Sequence, residues 1–462
     1  MANSSLSRAN TSPSGNGYKY TFSAWIKRSK ISDRQMFWRV LNPSATTYYS
    51  YMEFQADDRL HINEYSSNGT LDIVTSGYYR DTHAWYHVMG VVDTTQGTAG
   101  DRVKIYVNGS QVTALASSTL TLGQNQATTG TESGKTNYVG GDPANNTRFF
   151  NGYMSHVAFV DGQALTPTNF GETDSTSGVW KFKPPSGVTW GNNGFHLKFE
   201  NSGNLGLDSS GETNNLTDSG NLKQSISTPS NIYNTLNTMD SGYASSTILN
   251  TANGGTTTMN TSGFGDYGVR TNLAVSKGKW YWECKNAAVN GAGGNTMGVL
   301  KMSQRLVQNI MSGSPVAGVY GIQRYNDSSI NIHTNGSIAS QNTAMFGGGI
   351  TTSDIIGFAL DMDNGKLYIS KNGAYKDSSG NTGNPATQAY PTFTGLSTGE
   401  FYSFYTEIRM NNDNGLQVNF GEGRFGTTAI SSAGSNGNGS LFEYDVPSGF
   451  YALNTKNINT YG

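Results

Sequence analysis

DRVKIYVNGSQV (101–112) and GKLYISKNGAYK (365–376) carry the same local signal: an alternating run that ends in Asn-Gly, at Asn108-Gly109 and again at Asn372-Gly373. Asn-Gly inside such a run marks a two-residue hairpin, because both central positions of a type I′ turn need φ > 0. The two stretches lie far apart and have unlike neighbours. They predict two separate β-sandwiches, and that pairing points to recognition more than to catalysis.

The surrounding sequence supports the strand reading. Between 18 and 170, YTFSAWIKR alternates with Phe22, Ala24 and Ile26 on one face, and YYSYMEFQ sets Met52 and Phe54 against Tyr51 and Glu53. LHINEY, WYHVMGVVD, VKIYVNG and GYMSHVAFVDG follow, punctuated at Asn68-Gly69 and Asp161-Gly162. Short, regularly spaced strands of this kind predict a sandwich or jelly roll. From about 246 the pattern resumes: KWYWECK (279–285) opposes Trp280, Trp282 and Cys284 to Tyr281 and Glu283, and DIIGFALDMDNGKLYISKNG (354–373) reads as two strands joined at Asp363-Asn364-Gly365. No stretch shows a sustained helical period. The expected organisation is a sandwich over 1–175, a Gly/Asn/Ser-rich connector with short strands over 176–245, and a second sandwich with a C-terminal tail over 246–462.

Composition agrees. Of 462 residues 58 are glycine, and charged residues are 13% of the chain against a usual ~25%. The 26 Tyr, 20 Phe and 7 Trp argue against disorder, which is poor in aromatics. A net charge of −2 offers no basic footprint for nucleic acid. Cys284 is the single cysteine, so no intrachain disulfide forms, which suits assembly in a reducing compartment. MANSSLSRANTSPSGNG has no apolar core of a signal peptide, and no apolar run reaches the ~18–20 residues that span a membrane. Neither export nor membrane insertion is expected.

Residues 18–175 resemble the laminin-G/concanavalin A-like lectin superfamily through YTFSAWIKRS, AWYHVMGVVDTT, DRVKIYVNGSQV and FVDGQALTPTNFGE. Residues 270–425 resemble a SPRY domain through GKWYWECK, DIIGFALDMDNGKLYISKNG and VNFGEGRF. The order of the two, joined by GETDSTSGVWKFKPPSGVTWGNNGFHLKF and closed by VPSGFYALNTKN, is similar to a group of tailed-phage virion proteins, many of them marine. The expected fold is therefore all-β: two tandem antiparallel sandwiches, jelly-roll and concanavalin A-like, then SPRY-like. The resemblance implies a structural or adhesive virion protein of tail-fibre or surface-appendage type, made in the host bacterial cytoplasm. Its implied partners are other virion proteins, host-surface polysaccharide and, in a homotrimer, its own copies. A capsid-decorating or tail-scaffolding protein without glycan binding, a glycoside hydrolase, and a bacterial surface adhesin stand as alternatives.

Catalytic patterns fail on context. GLSTG (395–399) matches a nucleophile elbow at Ser397, but a strand pattern follows it and the last histidine, His333, lies upstream. GTESGKT (130–136) has three residues where a phosphate-binding loop needs four. His83 and His87 stand four apart, about 13 Å along a strand, too far for one zinc ion. DMDNG (361–365) lacks the sixth-position glycine and twelfth-position glutamate of a calcium loop and reads as a turn. A glycosidase needs two carboxylates roughly 5–10 Å apart in a cleft. Glu53, Glu283 and Glu407 stand alone, and Asp361-x-Asp363 runs into the turn. No enzymatic activity and no cofactor are expected. Calcium is implied only by the resemblance, since lectin-like domains often hold it in rim loops. That would make ligands of Asp57, Asp58, Asp93 and Asp142, which by themselves read as turn caps. For glycan or partner contact the expected residues are Tyr48, Tyr49 and Tyr51, beside a Ser/Thr-rich loop, and Tyr320, Arg324 and Tyr325 in the SPRY-like half.

Overall fold

The computed structural model describes residues 4–143, 146–220, 222–242, 250–259, 267–286, 295–306, 316–324, 330–339, 345–408 and 414–462. The chain divides into two compact units, Met1–Ser230 and Asn231–Gly462. Both are antiparallel β-sandwiches.

The first unit packs an eight-stranded sheet on a six-stranded one. In spatial order the larger runs Leu115–Leu120, Gly69–Tyr78, Arg59–Ser66, Ala45–Phe54, Gln35–Asn42, Thr136–Val139, Leu6–Ala9 and Thr217–Asp218. The smaller runs Phe195–Leu197, Gly152–Asp161, Lys19–Arg28, Tyr86–Asp93, Val103–Val107 and Ser110–Gln111. Alternation sends Tyr20, Phe22, Ala24 and Ile26 inward to meet Trp38, Val40, Met52 and Phe54, as the period of two predicts. The ring of Trp38 lies between Phe22 and Phe159, with centroids 5.1 and 5.6 Å away.

The opposite side chains of the six-stranded sheet are covered too. Gly171–Thr173 and Trp180–Phe182 form a hairpin whose aromatic residues stack on that face: Trp180 on His87, Phe182 on His156. Phe195–Leu197 then joins the sheet beside Val157–Phe159, and Thr217–Asp218 pairs with Leu6 and Ser7. Residues 176–230, within the stretch read as a connector, thus supply cover and edge strands to the first unit. Their aromatic positions are few, but each fills a place on a sheet that would otherwise be half dry.

The second unit packs a seven-stranded sheet, from Leu236–Gly242 through Tyr267–Val275, Tyr402–Ile408, Asn295–Lys301, Val319–Arg324 and Ile330–Thr334 to Ser337–Ala339, on a nine-stranded one. The latter centres on Lys279–Asn286, Ile355–Asp361 and Lys366–Lys371. Trp280, Trp282, Cys284, Ile356, Phe358 and Leu360 fill the core between them, matching the face assignment from alternation. VPSGFYALNTKN is woven in: Tyr451–Ala452 pairs in parallel with Trp280–Tyr281. Asn454 then caps a short helix of about two turns, Thr455–Tyr461, by accepting the N–H of Asn457 at 2.9 Å. Among the described residues it is the single α-helix, beside four 3-10 turns, and no sequence period announces it. No helix among the described residues is long and apolar enough to cross a membrane.

Candidate functional site

Strands Ala45–Phe54 and Arg59–Ser66 pair so that Tyr49 faces Tyr65, Tyr51 faces Asn63 and Glu53 faces His61. Since Ser50, Met52 and Phe54 point to the core side, these pairs line the outer face of the eight-stranded sheet. Arg39 flanks Tyr51 on one side, and Asp72 flanks Asn63 on the other. A register shift between Leu41 and Asn42 interrupts the ladder just before Tyr48 and Tyr49. Such irregularities re-aim side chains, and here Tyr48 joins the aromatic run. Ring centroids are 5.6 Å apart for Tyr48 and Tyr65, 5.5 Å for Tyr65 and Tyr49, and 5.6 Å for Tyr49 and Tyr51.

At the Tyr48 end lies an open depression of about 400 Å³, lined among others by Ser66, Ser67, Asn68, Glu132 and Ser133. One wall is the loop that contains GTESGKT. Its backbone is tied down by Glu64, which is buried within the sandwich. Glu64 accepts hydrogen bonds from the N–H groups of Thr129 and Gly130 and from the hydroxyls of Ser50 and Tyr20. Burial pushes this carboxyl up to about 7, and the donors only partly oppose it. Within GTESGKT the Gly130 amide is spent on this carboxylate, and those of Glu132, Gly134 and Lys135 are spent on backbone carbonyls.

At the other end His61 sits between two acids. Nδ1 is 3.2 Å from Glu53 and Nε2 is 3.2 Å from Asp72. Burial opposes charge on His61, but the two carboxylates outweigh it and hold its pKa above the ordinary value. Burial likewise works against the Glu53 charge, and the hydrogen bonds of His61 and Arg34 overcome it, holding Glu53 low. Hydrolysis by a carboxylate pair needs a glycosidic bond between the two acids. Here the imidazole occupies that place.

A second arrangement resembles a nucleophilic dyad and is not one. Ser23 Oγ lies 2.8 Å from His87 Nε2. Trp180 Nε1–H donates to His87 Nδ1 at 3.0 Å, so Nδ1 is the bare nitrogen and Nε2 carries the proton toward Ser23. A base must present a lone pair to the hydroxyl, and His87 presents a hydrogen. Burial also pushes its pKa down to about 3.

The structure assigns the other expected residues differently. Tyr320 is 2% exposed in the core, its hydroxyl donating to the Gly395 carbonyl, and Arg324 is buried with Nε donating to the Ile350 carbonyl. The expectation of ligand-facing side chains there is corrected, because Val319–Arg324 is an inner strand of its sheet with both faces covered. Tyr325 lies outside the described residues. The four aspartates do not converge. Asp58 pairs with Arg28 and Arg80, Asp142 with Arg39, and Asp57 lies 3.5 Å from Arg59. Asp93 accepts from Thr95 and Gln96. Among the described residues no group of three or more His, Cys, Asp or Glu side chains is placed to hold a metal ion. The expected turn readings do hold: Ser397 precedes the strand Tyr402–Ile408, its N–H on the Tyr402 hydroxyl, and Asp361 accepts from Asn364 across the DMDNG turn. Tyr65 and Glu132 were not expected at the site. Counting register back from the Asn68-Gly69 turn would have found Tyr65. Glu132 arrives from a distant loop and leaves no local signal.

Compared with known proteins, residues 3–170 match the sequence model of the concanavalin A-like lectin/glucanases superfamily. Among solved structures, the SPRY domain of human HERC1 is similar at 14% identity and TM-score 0.28, covering 40% of this chain and 96% of that one. A heptameric SAP-like pentraxin from Limulus polyphemus is similar at 18% and 0.27, covering 35% and 71%. The TRIM65 PSpry domain is similar at 14% and 0.27, covering 40% and 90%. No curated protein matches the chain. The class is thus an all-β protein of antiparallel sandwiches, the first of which matches the concanavalin A-like superfamily over residues 3–170.

Proposed function

We propose that this chain is a non-enzymatic virion protein of a tailed phage whose first unit holds host-surface glycan. The observation that carries the glycan reading is the unbroken run Tyr48–Tyr65–Tyr49–Tyr51 ending in a polar depression. Sugars present a C–H face to aromatic rings and hydroxyls to polar neighbours, and this surface offers both. The phage assignment is supported by the resemblance of the two modules, their order, and the joining and closing segments. A single lectin contact in the millimolar range is worth about −4 kcal/mol. A homotrimer repeated over a particle, anchored to neighbouring virion proteins, raises avidity by ~10²–10⁴.

The test pairs two measurements: binding of the whole chain to purified host polysaccharide, and host adsorption by particles with and without it. Binding with slowed adsorption of the deficient particles is expected, with no release of reducing ends from the polysaccharide. Normal adsorption together with no polysaccharide binding would leave a purely structural virion role and overturn the adhesive one.

A further inference from the structure

We infer that the depression beside Tyr48 is a subsite for one or two neutral sugar units, and that Glu132 turns anionic sugars away from it. This rests on the glycan-binding reading above and adds the place and the ligand class.

Size is the first constraint. About 400 Å³ is near the small end of the ~300–1,000 Å³ usual for small-molecule sites, so it takes a unit or two of a chain and leaves the rest outside. The second is the stacking surface. Tyr48 is half-buried, and its ring is braced by Tyr65 and by the Lys135 ammonium, 5.7 Å from the centroid. A braced ring loses little freedom when a sugar settles on it. The third is the polar lining. The hydroxyls of Thr128 and Thr131 are spent on the Gly17 carbonyl at 3.0 and 3.2 Å. The exposed side chains of Ser67, Asn68 and Ser133 are not engaged in this way, and they present a mixture of donors and acceptors suited to hydroxyl groups.

Charge then narrows the class. Glu132 is the one charged side chain in the lining, and it is exposed. The nearest cation cannot answer an anionic ligand. Lys135 is 6% exposed, with its ammonium 3.4 Å from the Tyr48 carbonyl and 3.7 Å from Glu132. A uronate or sulfate would therefore meet a carboxylate and no free cation, an arrangement that discriminates by repulsion.

The experiment uses the whole chain on an array of neutral gluco-, manno- and galacto-oligosaccharides beside their uronate and sulfated counterparts. The wild type is expected to retain neutral probes at least ~10-fold better than charged ones. Tyr48→Ala should lose at least ~10-fold with its melting temperature kept, and Asn68→Ala should lose less. Tyr78→Ala, which removes an exposed tyrosine of the same unit outside the depression, should change nothing. Glu132→Lys should admit uronates. Neutral binding that survives both Tyr48→Ala and Asn68→Ala would overturn the site while the glycan reading stands. Preference of the wild type for uronate or sulfate would overturn the ligand class. Retention of no probe, charged or neutral, would overturn the glycan reading and this inference together.

Discussion

Asn108-Gly109 and Asn372-Gly373 close their hairpins in the same way, yet the faces they lie under are held by opposite chemistry. In each turn both residues adopt positive φ: 47° and 82° in the first, 50° and 80° in the second. Each asparagine exchanges two hydrogen bonds with the neighbouring strand, through its own N–H and its side-chain oxygen: with His87 in one unit, with Ile355 in the other. Each glycine lies beneath an aromatic ring of a covering segment, Trp180 or Tyr444. The first cover is fastened by neutral imidazoles: Trp180 on His87, Phe182 on His156, Trp190 on His196. The second is fastened by a carboxylate. Glu283 accepts the N–H groups of Glu443 and Tyr444, both at 2.9 Å, much as Glu64 accepts those of Thr129 and Gly130. Identical turns therefore do not imply identical response to the solvent.

Acid should separate the two units, and this is the largest effect expected. Burial pushes His87 down to about 3, and burial aided by the Lys198 charge pushes His156 and His196 to about 4. His83, half-buried, is held at about 3 by desolvation and the Lys27 charge. A base depressed in the folded state contributes stability that is present above its unfolded value of ~6.5 and is lost as pH falls toward the folded value. At pH 5 the gap is about 1.5 units, or about 2 kcal/mol for each histidine. Glu64 runs the other way. Its folded pKa of about 7 is raised, so its contribution is full below ~4.5 and fades as pH rises through 7, returning about 2 kcal/mol on going from pH 7 to 5. His61, also raised, adds in the same sense. The first unit should still lose several kcal/mol. In the second, His333 at about 4 loses about 2 kcal/mol and Glu283, raised by burial to about 6, returns about 1 kcal/mol. Hydrogen exchange at pH 7 and 5, corrected for intrinsic rates, should show protection falling in Gly152–Asp161 and Trp180–Phe182 while Lys279–Asn286 holds. Equal loss in both units would break the comparison.

Steric tests come next in size. A Cβ on Gly109 would stand 2.5 Å from the Trp180 ring, and one on Gly373 would stand 2.8 Å from Tyr444. Both also force alanine into positive φ, which costs ~1 kcal/mol or more. Trp180 is held by its hydrogen bond to His87 and by the stack upon it, so its displacement should bring Gly109→Ala to about 3 kcal/mol. Tyr444 is fastened through its backbone and its ring can swing aside, so Gly373→Ala should cost about 2 kcal/mol. Calorimetric melting of the two variants measures both. A larger loss for Gly373→Ala would mean that the carboxylate-fastened cover is the stiffer.

The turns and strands were readable because period-two alternation and Asn-Gly are local signals, and the cores over Phe22, Met52, Trp282 and Phe358 follow from them. The covers were not. Trp180 and Phe182 stand in VWKFKPP, readable as a short strand island in a stretch of Gly, Asn, Ser and Thr, but their covering role left no local signal because their partners His87 and His156, like the His196 beneath Trp190, are supplied by other strands. Tyr320 and Arg324 fail for a related reason. Alternation separates the two faces of a strand but does not say whether the second face meets water or protein. At the candidate site Tyr48, Tyr49 and Tyr51 were legible as aromatics beside a polar loop. The carboxylates were harder: Glu64 stands opposite Ser50 on the core-facing side of its strand, in line with Leu60 and Ile62, where alternation calls for an apolar residue, and its donors at 129–130 come from a distant loop.

The smallest effect is the sharpest test of how alike the turns are. Asn→Asp keeps the side-chain oxygen that accepts the strand N–H and keeps tolerance of positive φ. At Asn108 that oxygen meets the N–H of His87, and the change should cost no more than about 0.5 kcal/mol. At Asn372 the side-chain amide also donates to Asp354 at 2.6 Å. Replacing that donor with a second carboxylate removes the hydrogen bond and sets two negative groups together, so about 1–2 kcal/mol is expected. Burial raises the Asp354 pKa, but its hydrogen bonds to Thr351 and Asn372, with the Lys371 charge, outweigh that and hold it low. Asn372→Asp should consequently regain stability in mild acid, where one of the two acids takes a proton, and Asn108→Asp should not. Denaturant titrations at pH 7 and 4.5 decide the point. A pH-independent Asn372→Asp would show that Asp354 is dispensable to the turn and that the two hairpins are alike beyond their backbones.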